Sequence, residues 1–390
     1  MIFRSPSCRP DRPEIIEEKK RGAILTSEIE IVMNLCPSKI IGITGSDGKT
    51  TTTSIIYEII NNFLQEFSIG NCYLGGNIGT PLFEKIKEFT PNDVVVLELS
   101  SFQLMEIKKS PDIAVITNIS PNHLDIHKSY EEYIDAKKNI FKFQDEKGIL
   151  VLNYDDNMTR QFIKEANGKV KYFSRKEKLE NGCIYDNEII KLCKNGVRRQ
   201  LFSKKDVYLK GDHNFENICA SICATEEIVN IETIISTIKE FKGVEHRLEF
   251  IKEIEGVKWY NDSIGTSPTR TIAGLNSFDE KVVLIAGGYD KNLDYTPIAK
   301  PIIDNVSSLI LMGGTADKIY DVVVKELKKE GKTMQIYKCK TLEETVSVAA
   351  EIANRGEIVL FSPASASFDL FKNFVERGNK FKELVNRIKG

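Results

Sequence analysis

Short runs of β-branched residues alternate along this chain with longer segments of helical periodicity, and this alternation restricts the fold more than any other feature. In the first part of the chain, buried strands are predicted at residues 39–44, 94–99, 113–118 and 149–153. Helices are predicted at residues 49–64 and 130–141. Strands that alternate with helices form mostly parallel sheets covered by those helices. The expected fold class is therefore α/β.

The alternation weakens and then resumes. Residues 169–210 contain short strands and polar turns, which predict an antiparallel annex. Helices are predicted next at residues 213–225 and 231–241. A second series of strands follows at residues 281–286, 307–312 and 357–361. We therefore place a domain boundary near Gly243.

The composition is that of an ordinary globular protein. The chain has 390 residues, which suggests two or three domains at roughly 150 residues each. The net charge of −2 gives no reason to expect nonspecific binding to nucleic acid or to acidic membranes. No apolar run approaches the ~20 residues of a membrane helix, and the polar N-terminus is unlike a secretory signal. Eight scattered cysteines without a CxxC motif predict buried thiols, rather than disulfides or a metal site, and a cytoplasmic location.

The strongest motif is GITGSDGKTTTT at residues 42–53, between a predicted strand and a predicted helix. Backbone N–H groups of such a turn can surround phosphate oxygens, while Lys49 reaches the terminal phosphates and the Thr50 hydroxyl ligates Mg²⁺. The strict pattern has glycine where this chain has Ile43, so the loop is a variant. Its glycines are three residues apart, at Gly42, Gly45 and Gly48. A glycine turn without function is the alternative, which GKT after a buried strand disfavours.

Two further groups of polar residues follow predicted strands. Glu98 closes an apolar strand at the carboxyl edge of the sheet, where ligands bind, and could hold Mg²⁺. A structural or solvated glutamate is an equal alternative there. Past the next strand, a metal or phosphate role is favoured over a structural one for the group His123, Asp125 and His127.

Candidate nucleotide contacts lie near the predicted boundary. His213, Asn214 and Asn217 begin a predicted helix, and the two asparagines share one face, which suits contacts to a base or ribose. Helix capping by Asp212 or Asn214 is an equal alternative. Arg247 could reach an ATP phosphate, although a surface ion pair explains an arginine there equally well.

Three polar loops follow strands of the second series. They occupy residues 261–270, 286–292 and 361–378. Because equivalent loops of a parallel sheet meet at one edge, the three together suggest a binding site.

Several long strings of residues resemble the Mur ligase family of ATP-dependent amide ligases. They are LELSSFQL at residues 97–104, GNIGTPL at 76–82, HRLE at 246–249 and SPASASFDLFKNFVERG at 362–378. The last string is similar to that of the D-glutamate-adding members, and the resemblance covers nearly the whole chain. It implies synthesis of a peptidoglycan precursor, and hence a part in cell-wall biogenesis, cell shape and cell division.

The resemblance also implies an architecture and substrates. Residues 37–242 would form a central P-loop-type ATPase domain, and residues 243–390 a Rossmann-like domain that binds the amino-acid acceptor. Residues 1–36 would be the remnant of an N-terminal Rossmann-like domain that binds UDP. ATP would activate the carboxylate of UDP-N-acetylmuramoyl-L-alanine as an acyl phosphate, which the amine of D-glutamate then attacks. The expected enzyme is a cytoplasmic monomer that binds neither nucleic acid nor membrane.

The family's catalytic roles are carried over residue by residue. Lys49 would stabilise the transferring phosphoryl group, and Thr50 and Glu98 would hold one Mg²⁺. His123 would ligate a second Mg²⁺. Lys137 matches the lysine that the family carbamylates with CO₂, whereas its sequence context alone would predict a solvated helix lysine.

Binding roles are implied in the same way. Asn77 would contact the nucleotide-sugar substrate. ATP would be bound by Gly45, Ser46, Asp47, Gly48, Lys49, Thr50, Thr51, Asn214, Asn217, Arg247 and Asp262. D-glutamate would be bound by Lys291, Ser367, Phe368 and Phe374.

The sequence departs from the family pattern at three places. Ile264 replaces a lysine of many relatives, which removes one cation from the acceptor pocket unless Arg270 or another residue substitutes for it, or the acceptor binds differently. Asp47 stands where many relatives have asparagine. The segment from Phe3 matches only the end of the UDP-binding domain, without its glycine-rich turn.

Two other functions are compatible with these residues. The chain could be a related Mur or folylpolyglutamate-type ligase with another substrate, which the string at residues 362–378 argues against. It could also be a non-catalytic nucleotide-binding homologue, which the presence of Lys49, Glu98, His123 and Lys137 argues against.

Overall fold

The computed structural model describes residues 1–6, 8–121, 127–209 and 211–388. The chain divides into two compact units. The first unit comprises Met1–Val207 and His213–Phe241, and the second comprises Tyr208–Asp212 and Lys242–Gly390.

The first unit is built on a large sheet whose central strands are runs of β-branched and other apolar residues. Its strand order is β11-β10-β9-β8-β7-β6-β3-β5-β4, and a separate two-stranded sheet pairs β1 with β2. The strands are β1 Ile2–Phe3, β2 Leu25–Thr26, β3 Lys39–Thr44, β4 Cys72–Gly76, β5 Val94–Glu98, β6 Ile113–Ile116, β7 Ile149–Asn153, β8 Lys169–Ser174, β9 Gly182–Asp186, β10 Ile189–Lys194 and β11 Val197–Ser203.

The helices of the first unit are α1 Pro13–Lys20, α2 Glu28–Leu35, α3 Lys49–Phe67, α4 Ser101–Leu104, α5 Tyr130–Lys138, α6 Asn157–Gln161, α7 Asp212–Thr225 and α8 Ile231–Glu240. Helices α3 to α6 lie between parallel strands of the first unit in sequence, and α7 and α8 follow its last strand. Short 3₁₀ turns lie at Phe83–Glu88, Phe162–Glu165 and Lys204–Asp206. The strands and helices predicted in this part of the chain are confirmed, with ends that differ by up to three residues.

The expected antiparallel annex is only partly correct. β8 pairs in parallel with β7, and β9 pairs in parallel with β8, so both strands extend the main sheet. Only the β9–β10 and β10–β11 pairs are antiparallel. Short apolar runs and polar turns indicate strands, but they do not specify whether neighbouring strands pair in parallel or antiparallel. The predicted direction was therefore wrong for the β7–β8 and β8–β9 pairs.

The N-terminal segment packs within the first unit. Arg4 donates to the carbonyl oxygen of Phe102 at 2.7 Å. Arg9 donates to both carboxylate oxygens of Glu132 on α5, at 2.7 and 3.0 Å. α2 buries Val32 and Met33 in the same apolar core as the central strands. The described residues of this segment are therefore held in the first unit by charged contacts and by apolar packing.

The second unit has a six-stranded sheet in the order β12-β13-β17-β14-β15-β16. Only the β12–β13 pair is antiparallel. The strands are β12 Glu249–Ile254, β13 Val257–Asn261, β14 Val282–Ala286, β15 Val306–Leu311, β16 Gln335–Lys338 and β17 Ile358–Phe361. The helices are α9 Pro268–Leu275, α10 Ala299–Asn305, α11 Ala316–Glu330, α12 Leu342–Ile352 and α13 Phe374–Arg387, with a 3₁₀ turn at Thr296–Ile298.

Apolar cores cover both faces of the second sheet. Leu284 and Leu360 point into the core on one face, while Val283 and Phe361 point into the core on the other. This alternation follows from the two-residue period of strands. Among the described residues, the helices lack the length and apolar character that crossing a bilayer requires.

Candidate active site

The loop between β3 and α3 passes so close to its neighbours that two of its glycines leave no space for a side chain. At Gly45, φ is +151°, and a Cβ atom would lie 1.8 Å from Thr117 Oγ1. At Gly48, φ is +78°, and a Cβ atom would lie 2.3 Å from Asn217 Oδ1. Helix α3 begins directly after Gly48. A glycine turn that leads into a helix N-terminus binds phosphate oxygens. Gly42 lies within β3 and is outside this turn.

Two lysines converge on the carbonyl oxygen of Gly45. Lys49 Nζ donates to it at 2.8 Å and Lys137 Nζ at 2.7 Å. The Lys137 side chain is 1% exposed and also donates to Thr44 Oγ1 at 3.2 Å. Burial, followed by the charge of Lys49, lowers the pKa of Lys137 well below its ordinary value. Lys137 therefore loses its proton far more easily than a surface lysine.

Glu98 lies beside the phosphate-loop strand, because it pairs with Ile43 in the parallel register. Its carboxylate is buried, and Oε1 accepts a hydrogen bond from Asn77 Nδ2 at 2.8 Å. Within the described ranges, Oε2 has no hydrogen-bond donor. A buried carboxylate oxygen without a donor fits a hard divalent cation, as does the hydroxyl of Thr50 at the start of α3.

His127 contacts residues of both α4 and α5. Its Nε2 lies 2.9 Å from Ser101 Oγ, and its Nδ1 lies 3.5 Å from Glu132 Oε2. The ring stacks on Phe102 with 5.1 Å between centroids. Both ring nitrogens therefore face protein groups. The other predicted residues of this segment, His123 and Asp125, lie outside the described residues.

Asn214 and Asn217 lie at the start of α7 and are buried against the phosphate loop. Asn217 Oδ1 accepts a hydrogen bond from Thr52 Oγ1 at 3.2 Å, and Asn217 Nδ2 donates to Asn214 Oδ1 at 3.1 Å. The structure thus brings the two asparagines to the same loop as Lys49.

In the second unit, the strands β13, β17 and β14 end side by side, since Asn261 and Ile285 both pair with Phe361. Asp262 follows β13 and is buried. Its Oδ2 accepts from Ser362 Oγ at 2.6 Å, and its Oδ1 accepts from Leu248 N at 3.3 Å. Burial raises the pKa of Asp262 to about 6.

Arg247 lies in a tight turn next to Asp262. The residues on either side, His246 and Leu248, have positive φ angles of 63° and 45°. Glu249 Oε2 accepts from His246 N at 2.8 Å, which holds this turn. The turn therefore places an arginine beside a buried carboxylate.

The predicted acceptor residues lie on the loops after β14 and β17 and at the start of α13. Lys291 Nζ lies 5.5 Å from the ring centroid of Phe368, and Phe368 packs edge-on against Tyr289. Ser367 is buried. Phe374 is the first residue of α13, and its carbonyl oxygen accepts from Ser263 Oγ at 2.8 Å.

The sequence matches two protein-family descriptions, "Mur ligase middle domain" over residues 43–225 and "Mur ligase, glutamate ligase domain" over residues 246–365. The chain belongs to the Mur ligase family. It is 51% identical, over 390 residues, to the UDP-N-acetylmuramoylalanine–D-glutamate ligase of Acetivibrio thermocellus, covering 100% of this chain and 83% of that one. The enzyme of the same name from Clostridium novyi is 48% identical over 388 residues, with coverage of 100% and 83%.

Solved Mur ligases share the fold. The UDP-N-acetylmuramate–alanine ligase of Thermotoga maritima aligns with 99% of this chain and 85% of its own, at a TM-score of 0.64 and 20% identity. The MurF ligase of Thermotoga maritima, solved in complex with ADP, aligns with 96% and 92% at a TM-score of 0.61 and 20% identity. These structures agree with the predicted α/β class and its mostly parallel sheets.

Sequence reasoning about this Mur ligase missed two residues of the sites. Tyr133 OH lies 2.8 Å from Ser46 Oγ, and Lys137 Nζ lies 4.8 Å from the Tyr133 ring. The spacing of four residues on α5 was a usable signal, because it places Tyr133 and Lys137 on one helix face. The second residue is Arg377, which lies on the apolar face of α13, one turn from Phe381.

Proposed function

We propose that this Mur ligase joins D-glutamate to UDP-N-acetylmuramoyl-L-alanine with hydrolysis of ATP to ADP and phosphate. The observation that carries the proposal is the convergence of Lys49 and Lys137 on the Gly45 carbonyl beside the buried Glu98. Activation of a carboxylate by ATP brings several anions together, so the site must neutralise charge and align the reactants. The relatives at 48–51% identity are named for this reaction.

The reaction proceeds in two balanced steps. A carboxylate oxygen of the precursor attacks the γ-phosphorus of ATP, the bond to the β-phosphate oxygen breaks, and ADP leaves. The neutral amine of D-glutamate then attacks the acyl phosphate carbon. Loss of phosphate and of one amine proton completes the amide.

Lys49 moves from the loop carbonyls to the transferring phosphoryl group when ATP binds. Its present acceptors, the carbonyl oxygens of Gly45 and Ser46 at 2.8 and 2.9 Å, hold the ammonium group at the loop. The backbone N–H groups after Gly45 and the N-terminus of α3 bind the remaining phosphate oxygens.

Thr50 and Glu98 would hold one Mg²⁺, and His123 would ligate a second. Glu98 Oε2 is buried and has no hydrogen-bond donor among the described residues, so it is available to a cation. Bound Mg²⁺ would neutralise phosphate charge. Asn77 fixes the other oxygen of Glu98. We also assign Asn77 to binding of the nucleotide-sugar substrate.

We assign a carbamate to Lys137. Carbamylation requires a neutral amine, and burial lowers the Lys137 pKa in that direction. Addition of CO₂ to Nζ with loss of one proton gives an anion that offsets the nearby charge of Lys49 and can organise Mg²⁺. With ¹³C-bicarbonate, NMR should show a carbamate signal that Lys137→Met removes, together with a loss of turnover of about 10²-fold.

Lys138→Met is the matched control for that experiment. Lys138 is the next residue on α5, and its Nζ pairs with Glu165 at 2.6 Å instead of entering the loop. It should retain both the carbamate signal and turnover. An unchanged signal in Lys137→Met would contradict the assignment.

We assign ATP to residues 37–242 and the acceptor to residues 243–390. Asn214 and Asn217 contact the nucleoside, since both lie against the phosphate loop. Because ATP and a UDP-linked precursor are the substrates, we place the reaction in the cytoplasm. Lys291 supplies the cation for an acceptor carboxylate. Ser367, Phe368 and Phe374 form the rest of the pocket.

Phosphate release in the presence of ATP, Mg²⁺, bicarbonate, UDP-N-acetylmuramoyl-L-alanine and D-glutamate tests the proposal. We expect one phosphate and one amide product per ATP, and near-complete loss of both in Lys49→Ala. Phosphate release that does not depend on D-glutamate, or depends on another amine, would show that the acceptor differs. No turnover with any acceptor would favour a nucleotide-binding role.

A further inference from the structure

Arg377 of α13 is a buried arginine whose five N–H groups are all used within the protein. Nη1 donates to the carbonyl oxygens of Ser365 and Ala366 at 3.1 and 2.9 Å. Nη2 donates to the carbonyl oxygens of Ser263 and Ser365 at 2.8 and 3.1 Å. Nε donates to Ser263 Oγ at 3.1 Å. No donor is left for a ligand, so Arg377 does not bind substrate directly.

These bonds join two loops at the carboxyl edge of the second sheet to α13, and a third loop lies against the guanidinium. Ser263 follows β13, and Ser365 and Ala366 follow β17. The third loop follows β14 and passes against the guanidinium, because a Cβ atom at Gly288 would lie 3.1 Å from Arg377 Nη1. These are the three polar loops that the sequence singled out as a binding edge.

The charge of Arg377 is not paired in the usual way. Within the described ranges it forms no salt bridge, although the carboxylates of Asp369 and Asp262 act on it through space. Burial outweighs them and lowers the pKa of Arg377 to about 10, so the group remains charged at neutral pH. Burying a cation without a bonded carboxylate is costly, and an apolar residue would support the helix at lower cost.

We infer that Arg377 is a positioning residue for the amino-acid acceptor, an inference that rests on the proposed function. Its hydrogen bonds fix the backbone of the loops that carry the predicted pocket residues. Ser367 and Phe368 directly follow the bound carbonyl of Ala366, which also accepts from Tyr289 N at 2.9 Å. Arg377 acts on Phe374 indirectly, because the Ser263 hydroxyl that accepts from Arg377 Nε donates to the Phe374 carbonyl oxygen at 2.8 Å.

Only arginine can make this set of contacts. A guanidinium offers five donors in a rigid plane, whereas a lysine offers three donors from one point. Lysine at position 377 keeps the charge but cannot reach Ser263 and Ala366 together. Comparison of the two residues therefore separates the geometric role from the charge.

Steady-state kinetics of Arg377→Lys test the inference. We expect the KM for D-glutamate to rise at least 10-fold, while the KM for ATP changes less than threefold, because the phosphate loop belongs to the other compact unit. In the absence of D-glutamate, the variant should form as much ADP in its first turnover as the wild type does. Arg387→Lys is the control, since Arg387 lies on the same helix, is exposed and pairs with Glu383.

Ser263→Ala provides a second, milder variant that removes one acceptor of Arg377 and the bond to Phe374. We expect a three- to tenfold rise in the KM for D-glutamate. The inference would be overturned by an unchanged KM for D-glutamate in both variants, or by equal rises in the KM for ATP and the KM for D-glutamate. Either result would leave the proposed function intact. A wild-type protein without D-glutamate-dependent turnover would overturn both.

Discussion

At the scale of the residue, Gly48 and Gly196 separate the effect of backbone strain from that of space. Both have a φ of +78°, but a Cβ atom at Gly196 meets nothing within 4 Å, whereas one at Gly48 would lie 2.3 Å from Asn217 Oδ1. Gly196→Ala should therefore lose about 1 kcal/mol of stability from strain alone. Gly48→Ala should lose more and should also bind ATP at least ten times more weakly.

Urea unfolding and calorimetric titration with ATP measure the two effects. Gly196 serves as the control because it lies in the exposed turn between β10 and β11, away from the phosphate loop. Equal stabilities and equal ATP affinities for the two variants would contradict the close approach of Asn217 to the loop.

Asp262 predicts a specific dependence of stability on pH. Its pKa rises on folding from an ordinary 3.8 to about 6. Between these values the folded chain binds more protons than the unfolded chain, so this residue's contribution to stability is lost as pH rises through 6. The loss from pH 5 to pH 7 should be about 1.4 kcal/mol.

Urea unfolding of the wild type and of Asp262→Asn across this pH range isolates the residue. The asparagine variant cannot titrate here, so the difference between the two proteins should change in the stated direction. A constant difference would contradict the raised pKa of Asp262.

The residues of the site differ in how far the sequence could predict them. Lys49 and Glu98 were predictable because a strand–loop–helix motif and a strand end define their positions. Lys137 followed only from the family resemblance, since its burial depends on packing against β3 that local sequence does not specify. The sequence analysis did not single out Arg377. A charged residue on the apolar face of an amphipathic helix is nevertheless a signal of a specific buried contact.

At the scale of the element, a buried ion pair links β8 to the residues that directly follow α7. Lys171 Nζ lies 2.7 Å from Glu226 Oε1 and 2.9 Å from Glu227 Oε1, and it donates to the carbonyl oxygen of Cys223 at 3.2 Å. Lys171→Met should lower the free energy of unfolding by about 2 kcal/mol, because Glu226 then keeps only its ion pair with the exposed Lys194.

The double variant Lys171→Met, Glu226→Met is the control for that prediction. With both charges removed, most of the lost stability should return, since a well-packed apolar pair can replace a buried ion pair. Urea unfolding measures all three proteins. A double variant no more stable than the single one would show that packing, rather than the loss of the Lys171–Glu226 ion pair, causes the destabilisation.

Parallel strands and antiparallel strands differed in predictability. The apolar runs at β3, β5 and β7 identified themselves, because strands buried on both faces are continuously apolar. The hairpins were less visible, although their turns carry a signal. Asn195 and Gly196 between β10 and β11 both have positive φ, the conformation that asparagine–glycine turns favour.

At the scale of the whole molecule, the second unit has what it needs to fold alone. Its sheet is covered on both faces by its own apolar cores. Residues 242–390 expressed alone should therefore unfold cooperatively with heat, as measured by circular dichroism. A gradual loss of signal without a transition would contradict the independence of this unit.

The two series of alternating strands and helices predict two α/β units and a boundary near Gly243. They could not predict that Tyr208–Asp212, well before that boundary in sequence, belong to the second unit. Membership of this kind depends on tertiary contacts, which periodicity does not encode.

The terminal position of β11 in the large sheet has a consequence for how copies of this protein behave at high concentration. A terminal strand has unpaired backbone groups that can pair with the same strand of another copy. β11 begins with exposed residues, among them Arg198 and Arg199. Two copies that approach edge to edge would bring these like charges together, so the strand that extends the sheet furthest also resists aggregation.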